Sequence, residues 1–278
     1  MESEAPRQPD QSDPTDQSDR SEDTTICVEE PEGAGRGAWE PLPTAGLGLA
    51  VGMANVFAAT LVAAGFAAAA FISNPRQDWS TLAESLPTNG LLIAVSAIAG
   101  AAASVPLIPL FISLRKGPSV TDYLGLRRVP LRTILAALAI SFVFLALQER
   151  VTILLNRPVI PEWQFEVYRT SVFPPLLWVA LIAAAPAFEE TLFRGFLLEG
   201  FRHSRMGGAG AVLLTSFLWA SLHTQYGPYE IAQIFLFGLL LGAMRLKMRS
   251  LWPCYAVHAF ASLLAVTETA LHLHALGG

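Results

Sequence analysis

Long apolar runs separated by short polar stretches follow one another along the chain after residue 45. A helix needs about 20 mostly apolar residues to cross the hydrocarbon core of a bilayer. The runs that approach or exceed this length lie at roughly 46–72, 90–114, 133–148, 172–200, 209–224, 229–246 and 251–275. The pattern predicts an all-α, polytopic transmembrane bundle of about seven helices, within a range of six to eight because the third run is short.

The first 44 residues are different, because they are acidic and rich in Ser, Pro and Gln. They contain 12 Asp or Glu and only 3 Lys or Arg. Such a segment buries too little apolar surface to offset its loss of conformational entropy on folding. We therefore predict a disordered acidic tail over residues 1–44. In the whole chain 53% of residues are hydrophobic and 15% are charged, which is typical of a membrane protein.

The lysine and arginine residues of the loops predict how the bundle lies in the membrane. Cytoplasmic loops carry an excess of these residues. The tail and the loops at 115–132, 201–208 and 245–250 share one side and hold 13 Lys or Arg, against 4 on the other side. We therefore expect a multi-pass integral protein of the plasma or inner membrane with its N-terminus in the cytoplasm. The sequence has no exposed basic stripe with interleaved aromatic residues, so it does not indicate nucleic acid binding.

Polar side chains interrupt the apolar runs at three places. They supply six candidate site residues, namely Glu189, Glu190, Arg194, His223, His258 and Ser262. A charged side chain at the bilayer centre costs about 2.5–3.5 kcal/mol to insert, so it usually faces a cavity or a partner. A carboxylate and two imidazoles from separate helices can polarise a water molecule and stabilise an oxyanion, which amide hydrolysis requires.

The spacing of the charges makes a local prediction. Glu190 and Arg194 lie one turn apart, so they share a helix face and can pair. Glu189 is rotated by about 100° from Glu190 and is expected to point elsewhere, toward a reactive group. Pro186 removes an amide donor one turn earlier and can open space there. The alternative is that these charges merely mark the cytoplasmic end of the fourth helix, as His223 would mark the end of the fifth.

Zinc chemistry is a second alternative for the same side chains. Imidazole nitrogens and carboxylate oxygens are ordinary zinc ligands, so Glu189, His223 and His258 could hold the metal ion. The chain lacks the His-Glu-x-x-His pair of helical zinc proteases. Both a zinc-assisted and a metal-free, glutamate-driven reaction therefore stay open.

Three segments together resemble the CPBP family of intramembrane proteases, also called the CAAX-protease and bacteriocin-processing (Abi) family. They read EETLFR at 189–194, WASLH at 219–223 and HAFAS at 258–262. The family pattern is Glu-Glu-x-x-x-Arg, then Phe-x-x-x-His, then His-x-x-x-Asn, so Trp219 and Ser262 depart from it. The resemblance covers about 172–265 and implies a catalytic helical core at 172–275, preceded by N-terminal helices and loops at 45–171.

The resemblance also implies roles. Glu189 would activate the attacking water, and His223 would orient that water or help hold a metal ion. His258 and Ser262 would stabilise the oxyanion, while Arg194 would lock Glu190 in place. The implied activity is an intramembrane endopeptidase that cuts a membrane-associated substrate, such as a prenylated or lipid-anchored one. With the orientation expected from the loop charges, the cut would lie near the cytoplasmic face.

Other functions use the same residue types. Intramembrane Glu, Arg and His also form the proton relays of transporters, although no inverted repeat is visible in the sequence. A non-catalytic membrane scaffold or bacteriocin-immunity protein could keep the polar trio as a structural network, because a fold does not fix an activity.

Overall fold

The computed structural model describes residues 40–114 and 117–277, and within these ranges every regular element is a helix. In chain order the helices are α1 (Pro41–Ser73), α2 (Trp79–Ser85), α3 (Gly90–Ser104), α4 (Leu107–Ser113), α5 (Val120–Leu124), α6 (Leu131–Leu154), α7 (Glu162–Arg169), α8 (Pro174–Arg202), α9 (Gly207–Ser221), α10 (Pro228–Met248) and α11 (Trp252–Gly277), with a 3-10 turn at Leu86–Thr88 between α2 and α3. The predicted all-α transmembrane bundle is confirmed.

Six of these helical stretches are long and apolar enough to cross a membrane, namely α1, α3 with α4, α6, α8, α10 and α11. The fifth predicted run differs, because α9 has only 15 residues. The third predicted run is longer than expected, since α6 continues to Leu154 through Gln148, Glu149 and Arg150. Gln148 Nε2 donates to the Gln233 carbonyl at 3.0 Å, on a neighbouring helix, while Glu149 and Arg150 are exposed.

The predicted tail of residues 1–44 falls mostly outside the described residues. Its last part is helical, however, because α1 already begins at Pro41. Proline is favoured in the first helical turn, where its missing amide would lack a partner in any case. Thr44 is fully buried and packs against Gly200 of α8. Residues 41–44 thus belong to the first turn of α1.

The connections of the bundle gather at two opposite ends. The end that we call the basic end contains the segments 117–130, 203–206 and 249–251; there the Leu251 amide donates to the Gly125 carbonyl at 2.9 Å. The end that we call the cavity end contains the segments 155–161 and 222–227; there the rings of Trp163 and Tyr226 meet edge to face at 5.4 Å. Helices α6, α8, α9, α10 and α11 run alternately between these two ends.

A buried polar network closes the basic end, and the sequence did not reveal it. Arg245 was predicted to lie in a loop, but it belongs to α10 and is only 5% exposed. Its guanidinium donates to the carbonyls of Arg194 and Tyr123 and lies 3.5 Å from the Glu199 carboxylate. Gly125, with φ of 66°, lets the backbone approach this guanidinium closely. Of the Lys and Arg that the sequence assigns to this side, Arg245 is therefore not a loop charge.

Helix α8 carries the Glu-Glu pair and is irregular around it. It changes from α-helical to π-helical hydrogen bonding at Ala180–Ala184, and again at Glu190–Leu197. Pro186 lies between these stretches and cannot donate the amide hydrogen bond of a regular turn. Wider turns of this kind often occur at functional sites, because they redirect side chains.

We predict that Gly200→Leu destabilises the bundle where α8 meets α1. A Cβ atom at position 200 would lie 2.3–2.9 Å from three side-chain atoms of Thr44, including its own Cβ, so a rotation of Thr44 cannot relieve the clash. Overpacking of this kind costs about 1–3 kcal/mol. Thermal unfolding in detergent should show a lower midpoint for Gly200→Leu. Gly52→Leu in α1 is the matched control, because nothing lies within 4 Å of its added Cβ; equal midpoints for the two variants would contradict this account of the packing.

Candidate active site

Glu190 and Arg194 form a buried ion pair on α8. Arg194 NH1 lies 2.9 Å from Glu190 Oε1, and both side chains are 1% exposed. The same Glu190 oxygen lies 2.8 Å from Nδ1 of His258 on α11. The predicted pairing is confirmed, and α8 continues past it to Arg202. These charges therefore lie inside the bundle and do not mark the end of a helix.

Glu189 lies beside the pair and is bound from α9. Trp219 Nε1 donates to Glu189 Oε2 at 2.6 Å. His258 Nε2 lies 3.8 Å from the same oxygen, and the Glu189 side chain keeps 21% of its surface exposed. Arg194 lies over the Trp219 ring, 4.2 Å from its centroid, in cation–π geometry.

Glu189 leaves α8 in a different direction from Glu190, as its rotation by about 100° predicts, and lies beside the His258 ring. The two carboxylates reach different nitrogens of one imidazole ring, with Glu190 at Nδ1 and Glu189 at Nε2 of His258. The two nitrogens of an imidazole present their bonding directions to opposite sides of the ring. One histidine can therefore meet two carboxylates that leave a helix in different directions.

Trp219 is the site residue that sequence reasoning undervalued. It was noted only as an aromatic replacement for phenylalanine, but its indole N–H binds Glu189 directly. Its ring also meets His258 and His223 edge to face, at centroid distances of 5.4 and 5.1 Å. The signal in the sequence was the tryptophan itself, because its indole N–H can donate a hydrogen bond and a phenylalanine side chain cannot.

His223 lies directly after the last turn of α9, so the expectation that it marks the end of this helix is correct for its position. Its position at the helix end does not exclude a role in the site. Its Nδ1 lies 2.9 Å from the Trp219 carbonyl. The ring also lines a cavity of about 420 Å³ together with Trp219, His258 and Ser262. The structure thus brings Glu189, Glu190, Arg194 and His258 into direct contact and places His223 and Ser262 on the cavity beside them.

The outer part of the cavity is lined by polar side chains from the cavity end. Gln233 donates to Thr152 Oγ1 at 2.9 Å, and Thr152 and Tyr229 hydroxyls lie 2.8 Å apart. Glu149 and Glu230 line the same wall. Polar side chains of this kind can hold water inside the membrane, where the lipid chains exclude it. A hydrolytic reaction at this depth would need such water.

Tyr226 is a second residue that the sequence did not single out. It lies in the connection between α9 and α10, lines the cavity and stacks on His223 with ring centroids 6.3 Å apart. Burial, followed by the negative charges of Glu189 and Glu230, raises the pKa of the Tyr226 phenol. The hydroxyl therefore stays protonated at neutral pH and can donate a hydrogen bond.

The predicted zinc ligands do not form a ligand cluster. Across residues 40–114 and 117–277, no group of three or more His, Cys, Asp or Glu side chains is arranged to hold a metal ion. His223 turns its Nδ1 toward the Trp219 carbonyl, and His258 directs its nitrogens to the two glutamates. The zinc-assisted alternative stays a prediction, and the reaction considered below is derived from the side chains of this chain.

We predict that Arg194→Leu lowers the free energy of unfolding by about 3–5 kcal/mol, because it leaves the Glu190 carboxylate buried without its cation. The double variant Glu190→Gln/Arg194→Leu should recover part of this loss, since the amide carries no charge. Thermal unfolding in detergent measures both, with the exposed Arg132→Leu as control. A double variant that is less stable than Arg194→Leu would show that the pair is not the source of the effect.

Comparison with known proteins adds to this geometry. Residues 171–264 match the family model described as Type II CAAX prenyl endopeptidase Rce1-like. The chain is also 29% identical over 164 residues to an uncharacterized 24.3 kDa protein of Escherichia coli. The aligned region covers 58% of this chain and 74% of that protein. No solved structure matched the chain. The family match spans α8, α9, α10 and the first half of α11, and it confirms the resemblance of this helical core to the CPBP family of intramembrane proteases.

Proposed function

We propose that the chain is an intramembrane endopeptidase that hydrolyses a peptide bond of a membrane-associated substrate. The observation that carries the proposal is the contact of Glu189 with both Trp219 and His258, two residues that line one cavity. A carboxylate held by a fixed donor, next to an imidazole that lines a cavity, has the parts that water activation needs. The match of residues 171–264 to a prenyl endopeptidase family supports the same class of reaction.

In this proposal Glu189 is the general base. Trp219 holds Oε2, so Oε1 accepts a proton from the attacking water while the water oxygen bonds to the scissile carbonyl carbon. The carbonyl oxygen becomes an oxyanion. The proton then passes from Glu189 to the amide nitrogen as the carbon–nitrogen bond breaks, which gives a carboxylic acid and an amine.

His258 and Ser262 are the proposed oxyanion donors, and His223 is proposed to orient the water. Ser262 lies one turn after His258 on α11 and lines the same cavity. When both nitrogens of His258 carry protons, its ring is positively charged and can stabilise developing negative charge. Glu190 and Arg194 are positioning residues here, because they hold His258 through its Nδ1.

The location of the protein follows from its loops. We place the acidic N-terminus and the basic end in the cytoplasm, because with Arg245 excluded the sequence assigns 12 Lys or Arg to that side and 4 to the side of the cavity end. The bilayer is one partner and the membrane-associated peptide is the other. Lys and Arg at the basic end would meet anionic lipid headgroups.

We predict that Glu189→Gln abolishes cleavage and leaves the amount of protein in the membrane unchanged. An amide keeps the size of the carboxylate and its bond from Trp219, but it cannot take a proton from water. The measurement is mass spectrometry of new N-termini in membranes from cells that express either form. Glu84→Gln, on the exposed surface of α2, is the matched control. If Glu189→Gln produces the same new termini as the unaltered chain, a scaffold or transporter role gains support instead.

We also predict that Trp219→Phe slows cleavage by about tenfold or more. The change keeps an aromatic ring under Arg194 but removes the N–H that holds Glu189. Hydrogen bonds to charged groups contribute about 1.5–3 kcal/mol, which sets this magnitude. The initial rate on a peptide that spans an observed cleavage point tests it, with the exposed Trp252→Phe as control. Equal rates for the two variants would remove Trp219 from the catalytic machinery.

A further inference from the structure

We infer that the site receives its substrate from the membrane face opposite the cytoplasm, so that the bond cleaved lies in a non-cytoplasmic segment of a membrane-anchored polypeptide. This inference rests on the proposed peptidase function. It depends on where the cavity opens, on what closes the other end of the bundle, and on the charges of the two ends.

The cavity leads from the candidate site to the cavity end. Its lining begins with Trp219 and His258 and reaches Pro158 and Pro161, in the connection between α6 and α7. A second cavity of about 470 Å³ adjoins it and shares Pro158, Pro161, Tyr226 and Glu230 with it. The first cavity thus extends from His258 to residues of the cavity end, and the second cavity adjoins it there.

The short helix α9 explains why the cavity extends to this end. Its 15 residues span about 22 Å, whereas the hydrocarbon core is about 30 Å thick. Since α9 starts at the basic end, it stops within the bilayer depth, and the connection 222–227 lies there as a wall of the cavity. Buried backbone of this kind is tolerated in a membrane where it borders a polar cavity.

The opposite direction is packed. Between the site and the basic end lie Phe196 and Leu198, which are both fully buried. Beyond them the Arg245 guanidinium contacts Glu199 and the carbonyl of Tyr123. A polypeptide that came from the basic end would have to displace this buried network.

The charges of the two ends then assign the sides of the membrane. The cavity end holds four arginines, Arg76, Arg150, Arg157 and Arg169. An acidic residue lies within five positions of each of them in the sequence. Without Arg245, the sequence segments 115–132, 201–208 and 246–250 on the side of the basic end hold 9 Lys or Arg. Because positive loops stay in the cytoplasm, the mouth of the cavity faces away from it. The inferred side of cleavage therefore differs from the expectation of cleavage near the cytoplasmic face.

The substrate class follows from this placement. It is a membrane-anchored polypeptide with an accessible stretch on the non-cytoplasmic side, close to the bilayer. A polypeptide whose lipid-modified end stays at the cytoplasmic face would not reach the mouth.

Cysteine labelling tests the direction of access without any need for cleavage. In a Cys27→Ser parent the remaining thiol, Cys254, is fully buried. Single cysteines are introduced as Pro158→Cys at the mouth, Ala265→Cys on the cavity wall and Arg205→Cys at the basic end. Spheroplasts that contain the full chain are treated with a small, charged, membrane-impermeant methanethiosulfonate, before and after permeabilisation.

We expect Pro158→Cys and Ala265→Cys to react in intact spheroplasts, and Arg205→Cys to react only after permeabilisation. The reverse pattern overturns the inference. It is also overturned if Ala265→Cys reacts only after permeabilisation or does not react at all, because the site would then not be reached from outside. The unlabelled Cys27→Ser parent is the background control.

The positions of the new N-termini separate this inference from the proposed function. Termini that depend on Glu189 and lie in non-cytoplasmic segments support both. Termini that depend on Glu189 but lie in cytoplasmic segments overturn the inference and leave the peptidase assignment intact. The expected labelling without any termini that depend on Glu189 supports the direction of access and removes the peptidase.

Discussion

The ion pair between Glu190 and Arg194 is the interaction on which the rest of the site depends. Both side chains are 1% exposed in a helix that crosses the hydrophobic core, so neither charge can be left unpaired at small cost. Each of the two side chains also makes a contact with a second helix. Glu190 also binds His258 of α11, and Arg194 also lies over Trp219 of α9. The requirement to neutralise one pair of charges thus draws three helices to one point.

Close packing makes these contacts possible. Gly238 of α10 lies against Ser216 and Trp219 of α9, where a Cβ atom would come within 3.0 Å of Ser216. Gly242 lies in the same way against Val212. Small residues let helices approach closely in a membrane, where interhelical attraction comes mainly from packing. This contact fixes the position of the Trp219 indole and, through its N–H, the position of Glu189.

The two ends of the bundle serve different purposes. At the basic end Glu199 binds Arg202 of the same helix at 2.9 Å and Arg245 at 3.5 Å, and the contact with Arg245 joins α8 to α10. At the cavity end the polar side chains line a cavity. The stacked rings of Tyr226 and His223 line the same cavity. One end therefore stabilises the arrangement, while the other keeps it accessible to water.

Much of this protein could be predicted from the sequence, because the information is local. Apolar runs of membrane-spanning length determine a helical bundle, and a four-residue spacing determines that Glu190 and Arg194 share a helix face. The ordered polar segments determined the family resemblance. The roles of Glu189, His223 and Ser262 in a reaction stay predictions.

Only the tertiary structure decided the contacts between distant segments. The bond from Trp219 to Glu189 joins residues 30 positions apart, and the contact of Arg245 with Glu199 joins residues 46 positions apart. No helical period encodes such pairs, because they depend on how helices rotate and approach when they pack. For the same reason the sequence could not show that both glutamates meet one imidazole, or at which end of the bundle the cavity opens.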